Sequence, residues 1–157
     1  MASHAQLLAE LERLARQACE AEGVELVELA LRGSSRSRIL RVDVDRAGPA
    51  GLDLGDCERV SKRLGEIMDE VDPIGGAYRL EVSSPGIDRP IRSSDDIRRN
   101  TGRRVAVTLA EAHDGRSVLK GVLVGGDDDA VLLDEGAGEP LRVARHRIEK
   151  VLQEIPF

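Results

Sequence analysis

Two stretches of the chain repeat apolar residues at helical spacing, and the remainder alternates or breaks. Between Ser3 and Gly23, Leu7, Leu8, Leu11, Leu14, Ala15 and Ala18 share one face, while Glu10, Glu12, Arg13, Arg16 and Glu20 fall mainly elsewhere, which predicts an amphipathic helix. Ser3 and Gln6 have the capping-box spacing, and Gly23 supplies the stop. A second helix is predicted from Asp53 as N-cap, with Asp56 in its first turn complementing the helix dipole and Asp72-Pro73 ending it. Its stripe is Cys57, Val60, Leu64, Ile67 or Met68, and Val71.

Between these helices, "VELVELAL" and "RILRVDVD" read as two strands joined by the hairpin "RGSSRSR". In the first, Val24, Leu26, Glu28 and Ala30 are expected on one face and Glu25, Val27, Leu29 and Leu31 on the other. After the second helix, Tyr78, Leu80 and Val82 alternate with Arg79, Glu81 and Ser83 as a third strand. The order αββαβ makes the second helix a crossover on one face of a small mixed sheet, with the first helix beside it.

Beyond Pro90 the pattern changes. "IRSSDDIRRNTG" reads as a linker with one helical turn, Ser94 capping Asp95 to Arg99. After Gly102 come five short strands, "RRVAVTL", "RSVLKGVLVG", "DAVLLDEG", "EPLRVA" and "RIEKVLQ", separated by the turn clusters "AHDG", "GGDDD" and "EGAG". Such a run predicts a small SH3-like (Sm-like) β-barrel, with Gly121 at a sharp bend. The expected class is α+β, with an N-terminal two-helix, three-stranded domain over 1–90, a linker over 91–102 and the barrel over 103–157.

Composition narrows the function. The chain has 157 residues, 29 acids against 23 Lys and Arg, and a formal net charge of -6, which disfavours binding to naked nucleic acid through overall charge. The absence of a long apolar run argues for a cytoplasmic protein without a membrane partner. Cys19 and Cys57 sit on predicted helix faces without paired-ligand spacing and read as reduced core thiols. No cofactor, metal or catalytic set emerges. His4, His113 and His146 lie beside no recognisable nucleophile, and "VSSPG" leads into an extended segment rather than a nucleophile elbow. A hydrolytic reading through Ser83 or Ser84, or a cation held by the acidic turn Asp127–Asp129, is an alternative to a plain turn and junction.

Basic residues gather in two places: Arg89, Arg92, Arg98, Arg99, Arg103 and Arg104 around the linker, and Arg142, Arg145, His146 and Arg147 near the end. The hairpin adds Arg32, Arg36 and Arg38, either a phosphate finger or a solvated tip. With one Tyr and one Phe in the chain, no stacking platform for unpaired bases is available, which favours folded or double-stranded RNA over single strands and over DNA.

The stretch "YRLEVSSPGIDRPI" joins the halves. Pro85 and Gly86 are expected at the centre of a type II turn, with Gly86 at positive φ, while Asp88 and Arg89 pair or cap and Pro90 keeps Arg89 extended. This run closely resembles the signature of the bacterial RimP family of ribosome maturation factors, and "GDCERVSKRLGEIMD", "GRRVAVTL", "LKGVLVG" and "RHRIEKVL" extend the resemblance over nearly the whole chain. The aromatic residues usual in that family before Gly102 are replaced here by Ile97 and Asn100, and Val151 replaces an alanine. The resemblance implies a non-enzymatic, monomeric assembly factor that binds the immature small ribosomal subunit, its rRNA and ribosomal protein S-twelve. It marks Tyr78, Leu80, Glu81, Ser83, Ser84, Pro85, Gly86, Asp88, Arg89 and Pro90 as the signature and junction. Candidate ribosome contacts are Arg89, Arg98, Arg99, Arg103, Arg104, Arg142, Arg145 and Arg147.

Overall fold

Ser3 and Asp53 cap the helices that their spacing predicts. The Ser3 hydroxyl oxygen accepts the Gln6 N–H at 3.1 Å and the Gln6 side chain accepts the Ser3 N–H at 2.7 Å, starting α1, His4–Ala21. Asp53 and Asp56 exchange the same pair of bonds at 2.7 and 3.1 Å, starting α2, Leu54–Val71. Each cap is worth about 1 kcal/mol. The computed structural model describes residues 3–154; the two residues before and three after, which the expected bounds 1–90 and 103–157 include, lie outside the described residues.

The fold is α+β, with three helices and two sheets. By contacts the chain divides into one unit of Met1–Arg46 with Gly51–Pro85 and another of Ala47–Ala50 with Gly86–Phe157. In the first, β1 (Glu25–Arg32), β2 (Arg38–Asp45) and β3 (Tyr78–Ser83) form a sheet in the order β1-β2-β3, antiparallel then parallel. A parallel pair needs a crossover, and α2 provides it. Leu11, Leu14 and Ala18 of α1, Val60, Leu64 and Met68 of α2, and Leu40, Val42 and Val44 of β2 make the core. Each large side chain buried there contributes about 1.5–3 kcal/mol.

Two details differ from the sequence pattern. The β1–β2 register shifts between Leu26 and Glu28, and this bulge at Val27 turns Leu29 and Leu31 onto the core side that Leu26 already occupies. Strict alternation therefore assigned the second half of β1 to the wrong face. Val71, expected in the buried stripe, is 46% exposed; it is the last helical residue before the left-handed cap at Asp72, and the stripe ends at Met68.

In the second unit, α3 (Ser94–Asn100) is capped by Ser93, one residue earlier than its sequence suggests, because Ser93 is the extended residue and Asp96 completes its capping box. Five strands follow, β4 (Arg104–His113), β5 (Arg116–Gly126), β6 (Ala130–Asp134), β7 (Leu141–Ala144) and β8 (Ile148–Gln153), with a 3-10 turn at Arg145–Arg147. The hairpin turns are those expected: Asp114 and Gly115 both take positive φ, and Asp127 accepts the N–H groups of Asp129 and Ala130. The sheet order is β7-β6-β5-β4-β8. Among the described residues β7 and β8 are its edges and no ladder joins them, so the closed barrel expected from the sequence is not found.

Ile91 and Ile97 join Val107, Leu119, Leu123 and Leu133 in the second core. The Ile91 N–H donates to the Val151 carbonyl at 2.8 Å, which covers part of the β8 edge. At Gly121 a Cβ would collide with the Asp134 carbonyl and crowd Leu133, so the glycine is required by the close passage of β6. Among the described residues no helix is long and apolar enough to cross a membrane.

Candidate nucleic-acid interface

The arginines that cluster in the sequence separate in space into buried and surface sets. Asp96 organises the buried one. Its Oδ2 accepts the N–H groups of Arg92 and Ser93 at 3.0 and 3.1 Å, and its Oδ1 pairs with the Arg99 guanidinium. Burial opposes its charge, but those N–H groups, Arg99 and the nearby charge of Arg89 outweigh burial and hold the carboxyl below its ordinary pKa. The Asn100 amide donates to the Asp96 carbonyl at 2.7 Å, and Asn100 Oδ1 accepts from Arg103 at 3.1 Å. Arg103 Nε donates to the Gly48 carbonyl at 2.8 Å, while the Gly48 N–H donates to the Arg99 carbonyl at 3.1 Å. Arg99 and Arg103 are 6% and 8% exposed, so these two are fold residues and are not available to a partner's phosphates.

The surface set stands at the β7–β8 corner. Arg142 projects from β7, and the 3-10 turn presents Arg145, His146 and Arg147 in succession. Arg145 is half-buried and braces the corner: its N–H donates to the Asp129 carbonyl at 2.8 Å, Nε to the Asp127 carbonyl at 3.0 Å and Nη1 to the Arg92 carbonyl at 2.9 Å. These acceptors are neutral, and the charges of Arg145 and Arg142 also act on the nearby Asp127 carboxylate, which offsets part of them. Arg147 donates to His113 Nδ1 at 3.0 Å. A guanidinium has no acceptor, so this ring nitrogen takes the acceptor role, and the other faces Asp114 at 3.4 Å.

Two concavities flank the corner. One, of about 190 Å³, is lined by Pro90, Ile91, Arg92, Arg145 and Ile148–Val151; the other lies among Leu109, His113, Leu119, Leu141, Arg142, Val143 and Arg147. Lys150 and His113 belong to this surface although cation clustering in the sequence does not point to them. Strand alternation gives a signal for Lys150, which lies opposite Thr108 on β4 with buried Val151 next to it.

The other candidates scatter. Arg98 is exposed and pairs with Asp95 at 3.6 Å. Arg104 is exposed at the start of β4. Arg89 is half-buried in the second unit, while exposed Asp88 and half-buried Pro90 flank it. Tyr78 and Leu80 pack on the first core, and Glu81 holds Arg79 at 3.1 Å. The Arg89 N–H donates to the Gly86 carbonyl at 3.0 Å, so Ile87 and Asp88 are the central turn residues. Gly86 is not among the residues at positive φ, and the type II turn centred on Pro85-Gly86 is thereby corrected.

Of the two serines, Ser83 is engaged in the fold. Ser83 lies opposite Asp43 in the β2–β3 ladder, and its hydroxyl donates to the Asp43 carboxylate at 3.1 Å; Ser84 is exposed beyond the strand end. Backbone bonds from Asp129 and Ala130 hold the Asp127 carboxyl below its ordinary pKa, and Asp128 accepts from Ser94 at 3.4 Å. Among the described residues no group of three or more His, Cys, Asp or Glu is placed to hold a metal ion.

A cationic corner with neutral acceptors, two small concavities and no aromatic platform is suited to contacting a phosphate backbone or a protein surface. Comparison with protein families identifies the N-terminal part: residues 14–88, from within α1 through β3 to the junction turn, match the RimP N-terminal domain. The match over these residues supports the RimP family for this chain.

Proposed function

We propose that this protein is a non-enzymatic, cytoplasmic factor for maturation of the small ribosomal subunit, acting as a monomer on the immature particle. The family match carries the reading. The β7–β8 corner supports it with exposed Arg142 and Arg147 and the charge of Arg145. We read the second unit as an SH3-like domain whose five-stranded sheet, a β4–β7 meander with β8 added beside β4, curls through the bulges at Leu123/Gly125 and Thr108/His113. Arg142, Arg145 and Arg147 contact rRNA, with Arg98 and Arg104 as outlying contacts. The apolar outer positions Val118 and Val124 of β5, both above 40% exposed, suit a protein partner, for which ribosomal protein S-twelve is our candidate.

A factor of this kind must bind the immature particle more tightly than the finished one, otherwise it would shift no equilibrium and would not leave. The test is co-sedimentation of the full chain with precursor and mature small subunits across a salt series. Salt-sensitive binding that favours the precursor is expected. Equal binding to both particles, or to neither, would reject the proposal.

A further inference from the structure

The β1–β2 hairpin carries three arginines that the first unit does not neutralise. Arg32 ends β1, Arg38 opens β2 and Arg36 stands on the tip between them. None of the three has an ion pair or side-chain hydrogen bond among the described residues. By contrast, Arg13, Arg41, Arg46, Arg59, Arg63 and Arg79 each hold a carboxylate. In a chain of net charge -6, an unpaired group of this kind is a local exception.

Its position in the sheet concentrates the charge. Register places Arg32 beside Ile39 and Ile39 beside Arg79, on one row. The next row on the same face is Ala30, Arg41 and Glu81, and the next is Glu28, Asp43 and Ser83. The face thus grades from cationic at the hairpin end to anionic at the other. Arg38 lies beside Tyr78 on the alternate face, where Asp69 and Asp72 also act on Tyr78, so Arg32 and Arg36 form the stronger side, Arg79 being paired with Glu81.

The tip is a built turn. Gly33 has φ +90, a Cβ there would strike the Ser37 carbonyl, and the Ser37 N–H donates to the Ser34 carbonyl at 3.0 Å. Exposed Ser34, Ser35 and Ser37 add hydroxyl donors. The one nearby ring, Tyr78 beside Arg38, packs on the first core, and guanidinium forks with neighbouring hydroxyls recognise phosphodiester oxygens rather than unpaired bases.

We propose that the β1–β2 hairpin is a second RNA-backbone contact, carried by Arg32, Arg36 and Arg38 and separate in sequence and unit from the β7–β8 corner. It rests on the assembly reading above. The test compares the full chain with its Arg32→Gln, Arg36→Gln, Arg38→Gln variant on two probes, an RNA duplex of about twenty base pairs and precursor small subunits, from about 50 to 200 mM salt. Unchanged thermal unfolding is expected, with a salt slope on the duplex shallower by about two to three and affinity at the lowest salt down by about tenfold or more. Should the triple variant fold poorly, Arg36→Gln alone is read the same way, with a slope loss of about one.

Duplex binding with unchanged slope and affinity overturns the hairpin contact. Weaker subunit binding with an unchanged duplex slope also overturns it and assigns the hairpin to a protein. Precursor subunits ignored by the unaltered chain would sink the assembly reading instead, leaving the duplex comparison to decide the hairpin.

Discussion

The Arg46 guanidinium reaches both oxygens of Asp56, at 2.7 and 3.2 Å. The same group donates to the carbonyls of Glu22 and Gly23 at 3.0 and 3.2 Å, so one side chain after β2 ties the end of α1 to the start of α2. Asp56 is 1% exposed and also caps Asp53 and receives Arg59. Arg46, the Asp53 N–H and Arg59 together hold its carboxyl far below the ordinary range, against the effect of burial.

Asp56→Asn should therefore destabilise the first unit by about 2–4 kcal/mol, less than a fully sealed pair because Arg46 and Arg59 keep solvent contact. The sign with pH follows from a lowered folded-state pKa. Stability from the charged form is fully present above the unfolded carboxylate value and is lost as pH falls toward the folded value. Denaturant midpoints should drop below about pH 4 in the unaltered protein, and Asn at this position should flatten that acid limb. Parallel acid limbs would show that another carboxylate controls it.

Two glycines have opposite expectations. Gly86 has no positive φ, and a Cβ placed there would come no nearer than 3.9 Å to the Asp88 nitrogen, so Gly86→Ala should change stability by no more than about 0.5 kcal/mol. Gly121→Ala must displace the β6 backbone and should lower the melting temperature by about 5 °C or more. Equal melting temperatures for the two variants would contradict the close β5–β6 approach.

The arginines separate in the same manner. Arg103→Met should cost about 1–3 kcal/mol in urea unfolding, because it strips donors from the Gly48 carbonyl and Asn100. Arg142→Gln and Arg147→Gln should leave stability within about 0.5 kcal/mol and reduce the salt slope of subunit binding by about one each. A stable, fully binding Arg103→Met protein would move that residue out of the fold set.

Burial pushes the Cys19 thiol up to about 11 and raises Cys57 to a lesser degree. Native protein at pH 8 should resist thiol alkylation at Cys19, while denatured protein labels at both positions, as peptide mass spectrometry would read. Rapid native labelling of Cys19 would mean that α1 opens from the sheet.

Much of the fold is legible because its signals are local. Ser3 with Gln6 and Asp53 with Asp56 lie three residues apart, and the period-two patterns mark β2 and β3. What is not legible depends on distant partners. The bulge at Val27 exists only against β2. Arg103 looks like its exposed neighbour Arg104 until Gly48, 55 residues away, is seen to accept its Nε. Sequence clustering finds Arg142 and Arg147 correctly as surface cations, but it cannot tell that Arg145 is fixed by three carbonyls. It also misplaces the turn at Gly86, since Pro-Gly carries a type II preference that the chain here does not use.

The segment Ala47–Ala50 gives the second unit a piece of chain made well before the rest of it. Its Gly48 carbonyl waits for Arg103, and its Pro49 ring packs over Gly102. During synthesis from the N-terminus, that polar lattice cannot close until more than fifty further residues have emerged. A fragment beginning at Gly86 would lack it permanently, so such a fragment would fold, if at all, with the Arg103 side chain short of its acceptor.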